Sequence, residues 1–71
     1  MENKPVLVDA RGMRCPWPAL RAARQLRQSS EIVILADDPA APAELKSLAQ
    51  QNGWTFAEKA ADGGAAFLIR R

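Results

Sequence analysis

Glu31-Ile32-Val33-Ile34-Leu35-Ala36 is an almost unbroken apolar run of strand length, and Asp37-Asp38-Pro39 closes it. Such a run reads as a central, parallel strand. Helical patterns stand on either side of it. Before it, the residues from Pro16 to Gln28 are good helix formers, and at 100° per residue Ala19, Ala22, Ala23 and Leu26 gather on a core-facing side with Leu20 at its edge. After it, Ala41, Leu45, Leu48, Ala49 and Asn52 follow helical spacing, Pro42 suits the first turn, and Gly53 stands where a C′ glycine belongs.

Further out, Pro5-Val6-Leu7-Val8 reads as a first strand and Trp54 to Lys59 as a third. Asp62-Gly63-Gly64 then holds a hairpin-type turn before a fourth strand from Ala65 to Arg70. The order is βαβαββ. Right-handed crossovers place both helices on one face of a mixed four-stranded sheet, so the expected fold is an α/β two-layer sandwich forming a single domain over residues 1–71. Alternation of Ala66, Leu68 and Arg70 with Ala65, Phe67 and Ile69 gives the sheet one moderately apolar face, a candidate contact surface.

The length of 71 residues limits the core, since a chain of this size buries only roughly 60% of its unfolded surface, which leaves little room for an enclosed active site. Composition is that of an ordinary globular protein, with no run long enough to cross a bilayer and no apolar signal segment at Met1-Glu2-Asn3-Lys4-Pro5. A cytoplasmic location with reduced thiols is expected, without membrane association. The single cysteine excludes an internal disulfide, and the absence of histidine excludes both a self-contained zinc site and a Cys-His hydrolase. No metal and no cofactor are expected. Net charge is +2, but residues 1–36 carry six Lys/Arg against three Asp/Glu, so the basic excess surrounds the cysteine.

That cysteine lies in Asp9-Ala10-Arg11-Gly12-Met13-Arg14-Cys15-Pro16-Trp17-Pro18. Lone cysteines in small proteins are usually inert hydrophobes. This one sits in a proline-punctuated loop at a helix start, where Cys15 is expected to be the N-cap with its sulfur beside free N–H groups, that of Trp17 above all. Arg11 and Arg14 add nearby cations, a setting that favours a thiolate. Pro16 and Pro18 stiffen the turn, and Gly12 supplies either a backbone conformation closed to other residues or a close approach to the sulfur. Trp17 shares a polar stripe with Arg21, Arg24 and Gln28; its ring either covers the Arg21 stem or a neighbouring loop, or anchors a docked partner. A thiolate without other catalytic groups can exchange with a disulfide or take the outer sulfur of a persulfide. Pro18 stands where a C-x-x-C motif has its resolving cysteine, which favours single-thiol sulfur carriage.

The decapeptide resembles the D-x-x-G-x-x-C-P-x-P signature of the TusA/SirA family of sulfur carriers. The resemblance continues in Ala36-Asp37-Asp38-Pro39-Ala40 and in Phe67-Leu68-Ile69-Arg70-Arg71, so it spans essentially the whole chain. It implies a βαβαββ sandwich and a sulfurtransferase-type carrier. The family cysteine maps onto Cys15, with Asp9, Gly12, Pro16, Trp17 and Pro18 as supporting motif residues and Arg11, Arg14, Arg21 and Arg24 as partner-docking charges. It further implies that sulfane sulfur arrives from a cysteine desulfurase or another donor and leaves as a persulfide for a downstream acceptor protein, in tRNA thiolation, molybdenum cofactor assembly or sulfur oxidation. Trp17 fills a slot where TusA itself carries an acidic residue. Ala41-Pro42-Ala43-Glu44 replaces a more polar start of the second helix.

The alternative reading is a basic RNA-binding or regulatory module of similar fold. It predicts salt-sensitive RNA binding that survives Cys15→Ala. The modest net charge and the sparse interleaving of aromatic and basic residues count against it, so RNA contact is not expected, nor is direct DNA contact. A redox-buffering thiol that forms mixed disulfides is a third reading.

Overall fold

The Glu31–Ala36 run forms β2 over its whole predicted length. In this computed structural model, which describes residues 5–61 and 64–71, the other elements are β1 (Val6–Asp9), α1 (Trp17–Leu26), α2 (Ala41–Asn52), β3 (Thr55–Ala61) and β4 (Gly64–Arg70). The order βαβαββ is the one predicted. The expected Asp62-Gly63 turn lies outside the described residues.

The sheet order is β1-β2-β4-β3, with β2 parallel to β1 and antiparallel to β4. β4 also pairs antiparallel with β3, so β1, β2 and β3 share one direction. β2 is therefore central, as its apolar run requires. Its register opposes Val8 to Ile34 and Ile34 to Phe67, and opposes Ile32 to Ile69. These residues form the helix-facing side, where Ile32, Ile34, Phe67 and Ile69 are fully buried against Ala22 and Leu26 of α1 and Leu45 and Ala49 of α2. Burying one such large side chain stabilises the fold by about 1.5–3 kcal/mol. Phe56 stacks on Phe67 with ring centroids 5.8 Å apart.

The opposite face carries the row Leu7, Val33, Leu68 and Ala57, each register partner beside the next. Leu7 at its edge is 65% exposed. The alternation read from β4 is thus real, with Phe67 and Ile69 turned inward and Leu68 outward.

The helices differ in detail from expectation. α1 is shorter than Pro16–Gln28, because the Arg27 and Gln28 N–H groups donate to Arg24 and Gln25, three residues back, and the last turn tightens out of α-helical form. Its buried residues are Pro18, Ala22 and Leu26, while Ala19 and Ala23 are only half-buried and Leu20 is 52% exposed. Leu20 therefore belongs to the outer surface and not to the edge of the core. α2 ends as expected, with Gly53 at φ 70° in the left-handed region. No helix among the described residues is long and apolar enough to cross a membrane.

Candidate functional site

Because β1 and β2 are parallel neighbours, the loops that leave their C-terminal ends emerge side by side. One loop carries the cysteine and the other the two aspartates. The Ala10 N–H extends the pairing by donating to Leu35 O at 2.8 Å, after which the chain turns into the cysteine loop.

Asp9 starts that loop. Its carboxylate accepts from the Arg11 N–H at 3.1 Å and from the Arg11 Nε and Nη2 groups at 2.9 Å each. These bonds hold the Asp9 carboxyl at about 2 and raise the Arg11 guanidinium. Gly12 follows at φ 83°, in the left-handed region, with open space where a Cβ would stand. Its requirement is conformational, and close approach to the sulfur plays no part.

The aspartate loop clasps the cysteine loop from the side. Asp37 Oδ1 accepts the Gly12 N–H at 2.9 Å, and Asp38 Oδ2 accepts the Cys15 N–H at 3.1 Å. Asp38 Oδ1 also accepts the Ala40 N–H at 2.7 Å, so one carboxylate ties the cysteine backbone to the start of α2. The sulfur itself is an exposed free thiol. Its Sγ–H donates to Glu44 Oε2 on α2, while Glu44 Oε1 is buried without a hydrogen-bond partner among the described residues.

Three expectations are corrected here. Pro16, not Cys15, is the N-cap of α1, and it makes no side-chain cap. The cysteine stands one residue earlier, with the Cys15–Pro16 peptide cis. The Trp17 N–H donates to Arg14 O at 2.8 Å and so closes the turn around the cysteine, leaving the sulfur without that donor. Finally, the thiol is pushed up, not down: its hydrogen bond to Glu44 is the main cause, followed by partial burial and the charges of Glu44 and Asp38. Arg11, expected to lower it, is engaged by Asp9. The cysteine is held as a thiol.

The remaining expected residues divide into two groups. Trp17, 60% exposed, lines a groove of about 420 Å³ with Met13, Leu20, Arg21 and Arg24. Trp17, Arg21 and Arg24 thus stand together, and Leu20 joins them. Arg14 lies elsewhere, beside Gly12 and Asp37-Asp38-Pro39, and Arg11 stays with Asp9, so the four arginines do not form one patch. Pro16 is exposed, whereas Pro18 is buried and anchors the first turn of α1 to the core. Met13 packs against the core from within the loop.

Sequence reasoning missed the roles of Asp37, Asp38 and Glu44. A signal for the aspartates was present: two carboxylates directly after a central strand parallel to β1 fall beside the loop that follows β1. Glu44 lies near the N-terminal end of α2, which the same topology brings to the cysteine. Among the described residues no cluster of histidine, cysteine or carboxylate side chains is arranged to hold a metal ion.

The family model of the sulfurtransferase TusA matches residues 6–71. A putative sulfur carrier protein of Archaeoglobus fulgidus is 38% identical over 68 residues, covering 89% of this chain and 88% of the relative. The sulfur carrier protein TusA of Allochromatium vinosum is 34% identical over 68 residues, covering 90% of each. The crystal structure of a SirA-like protein from Desulfitobacterium hafniense shares the fold, with a TM-score of 0.77 over 92% of this chain and 93% of that one, at 23% identity.

Proposed function

Because this chain belongs to the TusA family of sulfurtransferases, we propose that it is a sulfur carrier that holds sulfane sulfur as a persulfide on Cys15 and passes it to an acceptor protein. The observation that carries this reading is the setting of the thiol: exposed, backbone-clasped by Asp38, and without a second cysteine anywhere in the chain. A resolving disulfide cannot form within the molecule, so the sulfur that Cys15 accepts leaves by attack of a thiol from another molecule, in the carrier role that of an acceptor protein. Asp9, Gly12, Pro16 and Pro18 shape the loop that presents it.

The donor is a cysteine desulfurase or another persulfide protein, and tRNA thiolation, molybdenum cofactor assembly and sulfur oxidation are the routes a family carrier serves. The groove of Trp17, Arg21 and Arg24 beside the loop is the docking face, lined by apolar Met13, Trp17 and Leu20 together with the two arginines. Arg11 and Arg14 contribute from the other side of the loop. The carrier works in the cytoplasm, where thiols stay reduced.

Incubation with a cysteine desulfurase and free cysteine, followed by intact-mass and peptide mass spectrometry, tests the reading. One added sulfur atom on the Cys15 peptide, lost on reduction, is expected. An unmodified Cys15 beside a carrier that loads in the same tube would exclude it.

A further inference from the structure

We propose that Glu44 accepts the Cys15 proton during sulfur transfer, so that the reacting unit is a thiol–carboxylate pair and not a lone cysteine. The carboxylate comes from α2, 29 residues along the chain, and its Oε2 receives the Sγ–H directly. Its Oε1 is buried and has no donor among the described residues. A buried carboxylate oxygen without a partner is costly and uncommon in a folded protein. Here it stands one carbon away from the atom that touches the reacting sulfur.

The charges facing the thiol define what the pair does. Glu44 reaches it from α2 and Asp38 from the loop before α2, both negative, and both keep the proton on sulfur. The basic neighbour expected to oppose them, Arg11, is bound in a fork to Asp9. The resting nucleophile is therefore a thiol, and its proton has to leave as the sulfur attacks. A carboxylate already hydrogen-bonded to that proton is placed to take it.

The step rests on the sulfur-carrier reading above. For a donor persulfide R–S–SH, Sγ of Cys15 attacks the outer sulfur, the Sγ–S bond forms and the donor S–S bond breaks. The Cys15 proton passes to Glu44 Oε2, and the departing R–S⁻ takes a proton from it, so that Cys15–SH and R–S–SH become Cys15–S–SH and R–SH. Sulfane sulfur is exchanged between equivalent bonds, and no oxidant or reductant is consumed.

Single-turnover loading of the full chain from glutathione persulfide, followed by mass spectrometry across a range of pH, tests this in the native chain, Glu44→Gln and Glu44→Asp. Iodoacetamide alkylation of Cys15 is measured alongside, and circular dichroism verifies the fold of each variant. Glu44→Gln keeps the shape of the side chain and cannot take a proton. Its loading is expected to fall roughly 10²-fold at neutral pH and to recover as the pH rises and the thiolate forms unaided. Its alkylation quickens, because the carboxylate charge that holds the proton is gone, and Glu44→Asp restores part of the loading. Loading of Glu44→Gln that rises in step with its alkylation overturns the proposal and leaves sulfur carriage intact. A native Cys15 that alkylates but takes no sulfur from glutathione persulfide or a desulfurase overturns the carrier reading, and this step with it.

Discussion

Asp9 ends β1 and, in the same residue, fixes the start of the cysteine loop through its three bonds to Arg11. Its carboxyl lies at about 2 in the folded chain against 3.8 as an isolated group. A carboxyl held low in the folded state contributes stability that is present above the unfolded value and lost as pH falls through the folded one. The Asp9–Arg11 fork is therefore expected to survive at pH 4 and to open only near pH 2, which the carboxyl carbon shift of Asp9 in an NMR titration reports. An inflection near 4 would show that the fork does not form in solution. The pair lies at the surface, with side chains about half exposed, so its effect is on loop order more than on global stability. Reading at this scale succeeded where backbone chemistry speaks in the sequence, as at Gly12, and failed where a charge comes from a distant element. Arg11 and Arg14 both lie within four residues of Cys15 in sequence, yet Glu44, far along the chain, is the main influence on its proton.

The elements meet at the C-terminal ends of β1 and β2, and one carboxylate joins them. Asp38 holds the Cys15 N–H from one side and the Ala40 N–H from the other, so the cysteine loop and the start of α2 are fixed to each other. Asp38→Ala leaves both donors unpaired, and for partly solvated groups the loss is about 1–2 kcal/mol in urea denaturation. Hydrogen exchange at the Cys15 amide should accelerate together with that at Ala40. Stability and exchange both unchanged would mean that the clasp is not formed. The periodicities of α1 and α2 were visible in the sequence because packing follows them, as Leu26, Leu45 and Ala49 are all buried. The start of α1 was not, because two prolines satisfy the first turn in either of two registers, and the hydrogen bond from Trp17 to Arg14 selects the later one.

Across the whole molecule the sulfur stands on one edge of the sandwich, with the groove of Trp17, Leu20, Arg21 and Arg24 running from that edge along the outer side of α1. Large apolar side chains are exposed here as a cluster: Trp17 is 60% exposed and Leu20 52% exposed, on a helix whose inner side is already filled by Ala22 and Leu26. Neither residue is needed for the core, so trimming Trp17 tests docking apart from folding. Trp17→Ala is expected to shift stability by less than about 0.5 kcal/mol, as an exposed substitution does. Its affinity for the sulfur donor, measured by titration calorimetry against a cysteine desulfurase, is expected to fall at least about tenfold, the loss of a central aromatic anchor. Charge reversal in Arg24→Glu should weaken the same complex and flatten its dependence on salt, because Arg24 is an exposed cation lining the groove. Unchanged affinity in both variants would move the docking face away from α1, toward Arg14 and the aspartate loop on the other side of Cys15.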